Sequence, residues 1–157
     1  MCLALVALGV HPHYPLVVAA NRDEYHARPT AAAAWWPERM LAGRDLRAGG
    51  TWLGLTRQGR FALLTNVRNP NVHNPRSPSR GGIVPSMLTD SSEAPAIERI
   101  LEQGSRYNGF NVIAGSSTSA TWTSNRATEV KRLGRGTWAL SNALLGDPWP
   151  KLCRIKD

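Results

Sequence analysis

The chain is predicted to be a layered α+β protein, on three observations: paired β-hairpins fill its first half, a helical segment follows, and strands resume after it. A parallel sheet would instead alternate strand and helix throughout. Leu3-Ala4-Leu5-Val6-Ala7-Leu8 and Leu16-Val17-Val18-Ala19-Ala20 flank the turn-like His11-Pro12-His13-Tyr14-Pro15. Short apolar runs bounded by Pro or Gly read as buried strands, so the two form an antiparallel hairpin that delivers Asn21-Arg22-Asp23-Glu24 at a strand end. Residues 25–48 contain Pro29, Pro37, Gly43 and the tract Ala31-Ala32-Ala33-Ala34, and read as connecting structure.

The second hairpin joins residues 51–56 and 60–65 through the turn Arg57-Gln58-Gly59 and ends at Asn66. Residues 69–78, with three prolines and three asparagines, form a loop suited to the rim of a binding site. Ser91 or Ser92 caps a helix that runs to about Gln103 and stops at Gly104, with Leu88, Ile97, Ile100 and Leu101 turned to the core. Residues 110–114, 121–123 and 138–141 read as strands, and Pro148-Trp149-Pro150 opens a final helix. At 157 residues this is one domain, spanning 1–157.

Composition narrows the function. Hydrophobic residues at 42% and charged residues at 19% are ordinary for a globular chain, and no apolar run is long enough to cross a bilayer. The apolar start has neither the basic flank nor the cleavage site of a signal peptide. Cys2 and Cys153 make neither a disulfide framework nor a zinc site, so a reducing cytoplasmic setting is expected. The formal charge of +8 favours anionic partners, yet the basic residues are scattered, which argues against nucleic acid. His11-Pro12-His13 alone cannot close a metal site, and the six tryptophans read as packing rather than a stacking platform.

Cys2 carries the chemistry. A small residue after Met1 permits removal of the methionine, which leaves Cys2 with both a thiol and a free α-amine. An α-amine titrates near about pH 8, close to a thiol, so it can accept the thiol proton while sulfur attacks a carbonyl. Arg22 and Asp23 end the strand paired with the first one: the carboxylate can hold the ammonium or orient the thiol, and the guanidinium can favour thiolate. Asn66 and Asn142 end strands in similar contexts, Leu64-Thr65-Asn66 and Leu140-Ser141-Asn142, where side-chain amides can donate to a developing oxyanion.

Six ordered blocks carry a family resemblance: Met1-Cys2, Ala19-Ala20-Asn21-Arg22-Asp23-Glu24, Gly50-Thr51-Trp52-Leu53-Gly54, Leu64-Thr65-Asn66, Tyr107-Asn108-Gly109-Phe110-Asn111 and Leu140-Ser141-Asn142-Ala143. The chain resembles the NRDE family, which includes the transport and Golgi organisation proteins of animals, and corresponds to the N-terminal portion of that family's usual domain. A more distant similarity links that family to N-terminal-nucleophile amidases of the choloylglycine hydrolase and penicillin V acylase type. The resemblance implies a layered αββα fold, here incomplete at the C-terminus, with exposed strand edges that favour a homo-oligomer. It also implies Cys2, Arg22, Asn66 and Asn142 as catalytic residues. The strand-end reading adds Asp23, which follows Arg22 directly where those amidases place an acid three positions on, and Asn21, Glu24, Trp52 and Asn111 are expected to bind substrate.

Two functions follow as expectations. One is hydrolysis of a non-peptide amide or thioester by Cys2, with no cofactor. The other is non-catalytic carriage of an anionic ligand such as haem, lipid or acyl-coenzyme A, which the resemblance implies. No Cys-x-x-Cys-His haem attachment motif is present, though His11, His13, His26 and His73 remain possible axial ligands.

Overall fold

The computed structural model describes residues 2–90, 92–148 and 152. Among the described residues, ten strands form two antiparallel sheets. The smaller has the order β10(Gly136–Leu140)-β1(Cys2–Leu8)-β2(Leu16–Arg22). The larger runs β3(Thr30–Trp35), β4(Met40–Asp45), β5(Leu53–Thr56), β6(Phe61–Asn66), β7(Phe110–Gly115), β8(Ala120–Ser124) and β9(Lys131–Leu133) in sequence order. Helices α1(Ile83–Thr89) and α2(Glu93–Glu102) lie between β6 and β7 in the chain.

Alternation along β6 separates two cores, because successive strand side chains point to opposite faces. Ala62 and Leu64 face the helices, where they meet Met40, Val84, Met87, Ile97, Ile100, Phe110 and Val112. Phe61 and Leu63 face the smaller sheet and pack with Ala4, Val6, Leu8, Ile113, Trp122, Leu133 and Leu140. The described residues therefore stack as helices, large sheet, small sheet, an α+β arrangement. Among them, no helix is long and apolar enough to cross a membrane.

Both predicted hairpins are present. Leu8 pairs with Leu16, and Leu55 pairs with Phe61 around a turn in which Gly59 takes φ +78°. Glycine adopts that left-handed backbone without steric cost. Ser92 is the N-cap of α2, which ends at Glu102; Ser91 lies outside the described residues, as does Pro148-Trp149-Pro150 beyond Pro148. The expectation that residues 25–48 merely connect is corrected: they hold β3 and β4, which extend the large sheet beyond β5. β3 is exposed at every position, and its alanines give none of the alternation that marks a strand. The sequence reading also missed α1, in which Pro85 sits in the first turn, where its lacking N–H costs nothing, and the three-residue edge strand β9.

The Gly50–Gly81 contact brings the start of β5 against the turn that leads into α1. The Thr51 N–H donates to the Gly81 carbonyl at 3.0 Å, and a Cβ built on Gly50 would lie 2.3 Å from that same oxygen. Gly82, one residue on, has open space around its Cβ position and an ordinary φ of −81°. Gly50→Ala is therefore expected to cost roughly 1–3 kcal/mol or more, and Gly82→Ala to stay within about 0.5 kcal/mol, in urea unfolding. Equal midpoint shifts would show that backbone contact at Gly50 is not what limits this position.

Candidate active site

The β1–β2 register sets Cys2 directly opposite Arg22 and Leu3 opposite Asn21. Cys2 is 9% exposed. Its backbone nitrogen donates to Asn142 Oδ1 at 3.1 Å, and its carbonyl accepts from Ser141 Oγ at 2.8 Å. Asn142 in turn donates from Nδ2 to the Asn66 carbonyl at 2.8 Å, while the Asn142 carbonyl accepts from the Arg68 N–H at 2.9 Å. One side chain, two residues beyond the end of β10, thus joins the first residue of β1 to the last of β6. Burial pushes the Cys2 thiol above its usual range, with the Arg22 guanidinium pulling the other way and Asp23 and Glu24 reinforcing burial. At neutral pH the resting sulfur is protonated.

Arg22 is held by carboxylates rather than pointed freely at sulfur. Its Nη2 reaches Asp45 Oδ2 at 2.9 Å and Glu24 Oε2 at 3.0 Å. Arg28 bonds the same pair, through Nε to Asp45 Oδ2 at 2.7 Å and through Nη1 to Glu24 Oε2 at 3.5 Å. Asp45 Oδ1 accepts the N–H groups of Arg47 and Ala48, both at 3.0 Å. Burial works to raise the Asp45 pKa, but those two backbone bonds and Arg28 outweigh it and hold the carboxyl below its usual range. Asp23 accepts from Asn21 Nδ2 at 2.5 Å.

The other expected residues fall in three places. Trp52 lines a cavity of about 220 Å³ together with Arg22, Asp45, Thr51, Ser79 and Gly81. Asn66 is exposed at the end of β6, and among the described residues its side-chain amide carries no hydrogen bond. Asn111 is fully buried and donates from Nδ2 to Thr65 Oγ1 and the Ala143 carbonyl, so it braces the segment that carries Asn142. Among the described residues no cluster of three His, Cys, Asp or Glu side chains could hold a metal.

Sequence reasoning missed Asp45 and Arg80. Asp45 sits in the stretch read as connecting structure, although an Asp followed by Gly49-Gly50 marks a turn in which the carboxylate caps backbone N–H groups. Arg80, in a 3₁₀ turn (Arg80–Gly82) that closes the Pro- and Asn-rich loop, donates from Nη1 to the Gly109 carbonyl at 2.8 Å.

Since the folded Asp45 carboxyl titrates below its ordinary 3.8, its stabilisation is complete above that value and disappears as pH falls through the lowered one. Asp45→Asn, which leaves two guanidinium groups with Glu24 as the carboxylate they still share, is expected to cost about 2–4 kcal/mol at neutral pH. The gap between variant and native chain should close in acid. A gap that persists unchanged down to the acid limb would rule out the carboxylate as its source.

Compared with known proteins, residues 1–157 match the family described as Transport and Golgi organisation 2. The chain is 40% identical over 98% of its length to the Transport and Golgi organization protein 2 homolog of Bos taurus, covering 61% of that relative. Identity to the Mus musculus homolog is 41% with the same coverage. To Transport and Golgi organization protein 2 of Drosophila melanogaster it is 34% over 77% of this chain and 48% of the relative. The chain therefore spans about three-fifths of the mammalian proteins it matches, and it belongs to the Transport and Golgi organisation 2, or NRDE, family.

Proposed function

We propose that this chain is the nucleophile-bearing part of a hydrolase that cleaves a non-peptide amide or a thioester of a small anionic acyl compound, on an N-terminal-nucleophile-hydrolase-like framework. The observation that carries the reading is the Cys2 nitrogen held by Asn142 Oδ1 at 3.1 Å beside a buried thiol, with Arg22 directly across the strand pair.

Once Met1 is removed, that nitrogen is an α-amine. Asn142 holds one of its hydrogens, which orients the lone pair for the thiol proton. Sulfur then attacks the carbonyl carbon, and an oxyanion forms as the C=O π bond opens. The unbonded amide of Asn66 and the second N–H of Asn142 Nδ2 are the donors for that oxygen. Collapse expels the amine or thiol leaving group, which takes the proton from the Cys2 ammonium, and water hydrolyses the acyl-thioester. Arg22 enters as a charge already neutralised by Asp45 and Glu24, so its role is to position rather than to ionise sulfur.

The cavity adjoins the site through Arg22, the strand partner of Cys2, though Cys2 and Asn142 do not line it, and we take it as the place of a small substrate. Sites for drug-sized ligands run to about 300–1,000 Å³, and this one is about 220 Å³. A carrier of an anionic ligand remains the second reading, favoured by the +8 charge and by Trp52 and Arg22 at the cavity wall. That reading needs no free Cys2 amine.

The intact mass of chain expressed with its native N-terminus should lack Met1. In amide and thioester screens Cys2→Ser should abolish turnover, and Asn142→Ala should lower kcat/KM by roughly 10²–10³. Retained Met1 with undiminished ligand binding would favour the carrier. Turnover that survives Cys2→Ser would remove the nucleophile reading.

A further inference from the structure

The cations around Cys2 are not equivalent. Arg22 and Arg28 share Glu24 and Asp45, two guanidinium groups against two carboxylates, so that cluster carries no net charge. Arg80 differs: among the described residues it forms no ion pair, and its one hydrogen bond is to a neutral carbonyl, Gly109. A continuous set of bonds ties it to the nucleophile. Cys2 N reaches Asn142, Asn142 reaches the Asn66 carbonyl, the next residue's Val67 N–H donates to the Gly109 carbonyl at 2.9 Å, and Arg80 shares that acceptor at 2.8 Å.

The turn that carries Arg80 is fixed from several sides. Ser79 Oγ accepts the Gly81 N–H at 3.2 Å, and Gly81 lies against Gly50 and Thr51 at the cavity wall. Burial lowers the Arg80 pKa from its usual value, the charge of Cys2 opposes this, and Arg28 adds to it. A partly desolvated guanidinium without an ion-pair partner among the described residues, set between two residues that line the cavity, is suited to a planar anion.

We propose that Arg80 is the substrate-holding cation of this site, binding the anionic group of the acyl compound, so that the site selects substrates bearing a carboxylate or phosphate over neutral analogues. The charges of Asp23 and Glu24 also act on Cys2, but Glu24 pairs with Arg22 and Arg28 and Asp23 is bonded by Asn21. The proposal rests on Cys2 being the reactive residue of the site.

Two small reagents isolate it. Iodoacetate is anionic and iodoacetamide neutral, and both alkylate a thiolate by the same step, in which an S–C bond forms as iodide leaves. Peptide mass mapping separates Cys2 from Cys153. A change in thiol pKa moves both rates together, so their ratio reads anion binding alone. Relative to urea-unfolded chain, folded Cys2 should prefer iodoacetate. Arg80→Gln should lower that preference by about tenfold, as expected for one charge-assisted contact, and Arg80→Lys should keep most of it.

If Arg80→Gln unfolds, acetate added to the native chain at matched ionic strength should slow iodoacetate more than iodoacetamide. An unchanged ratio in folded Arg80→Gln, equal slowing by acetate, or a folded thiol that refuses both reagents would overturn the proposal. Retained Met1, or turnover in Cys2→Ser, would instead sink the nucleophile reading and leave this ratio untouched.

Discussion

The position of every group at the site depends on the register of β1. Its alternate residues Ala4, Val6 and Leu8 are completely or almost completely buried between the sheets, and both its edges are bonded, to β2 on one side and β10 on the other. A one-residue slip would turn that apolar row to the opposite face, which a strand with one buried side cannot tolerate. The core therefore fixes where Cys2 emerges. It lies across from Arg22 in one pair, and the chain leaving β10 brings Ser141 and Asn142 onto its backbone in the other. A hydrophobic constraint several residues away thus sets polar geometry at the strand's first residue.

How much of this could be read from the sequence depended on whether a signal was local. The hairpins β1–β2 and β5–β6 were legible because each is a pair of apolar runs around a turn with Gly or Pro, and α2 because Ser92 and Gly104 bracket an apolar helical face. β3 and β4 were not, because an edge strand that buries nothing leaves no hydrophobic period, and Pro29 and Pro37 look like loop residues though they merely flank the strand. At the site, Cys2, Arg22 and Asn142 could be assembled because each lies at a strand end and the hairpin joins two of them. Asp45 and Arg80 could not. Their partners, Arg22, Arg28 and Gly109, are 17 to 29 residues distant in the chain, and only the fold places them together.

The acids explain how a chain with surplus positive charge controls where that charge acts. Asp45 and Glu24 absorb Arg22 and Arg28, and Asp90 binds Arg99 on the far side of the large sheet. Pairing of this kind fixes side chains more than it stabilises them, since partly buried ion pairs recover little beyond their desolvation cost. Its value at the site is geometric. Arg22 cannot swing, and the wall of the cavity that it shares with Asp45 and Trp52 keeps its shape.

This arrangement also constrains the chemistry. If a guanidinium alone activated Cys2, the thiol would titrate below its normal value. Instead burial dominates and raises it, with Asp23 and Glu24 adding to burial against the pull of Arg22. A buried, protonated thiol is a poor nucleophile until some group removes its proton, and the nitrogen held by Asn142 is on the same residue. As an amide it has no basic lone pair; as a free amine it does. Under the proposed function, chemistry and binding part at one covalent bond, between Met1 and Cys2, while the fold that positions Asn142, Arg22 and the cavity is common to both readings.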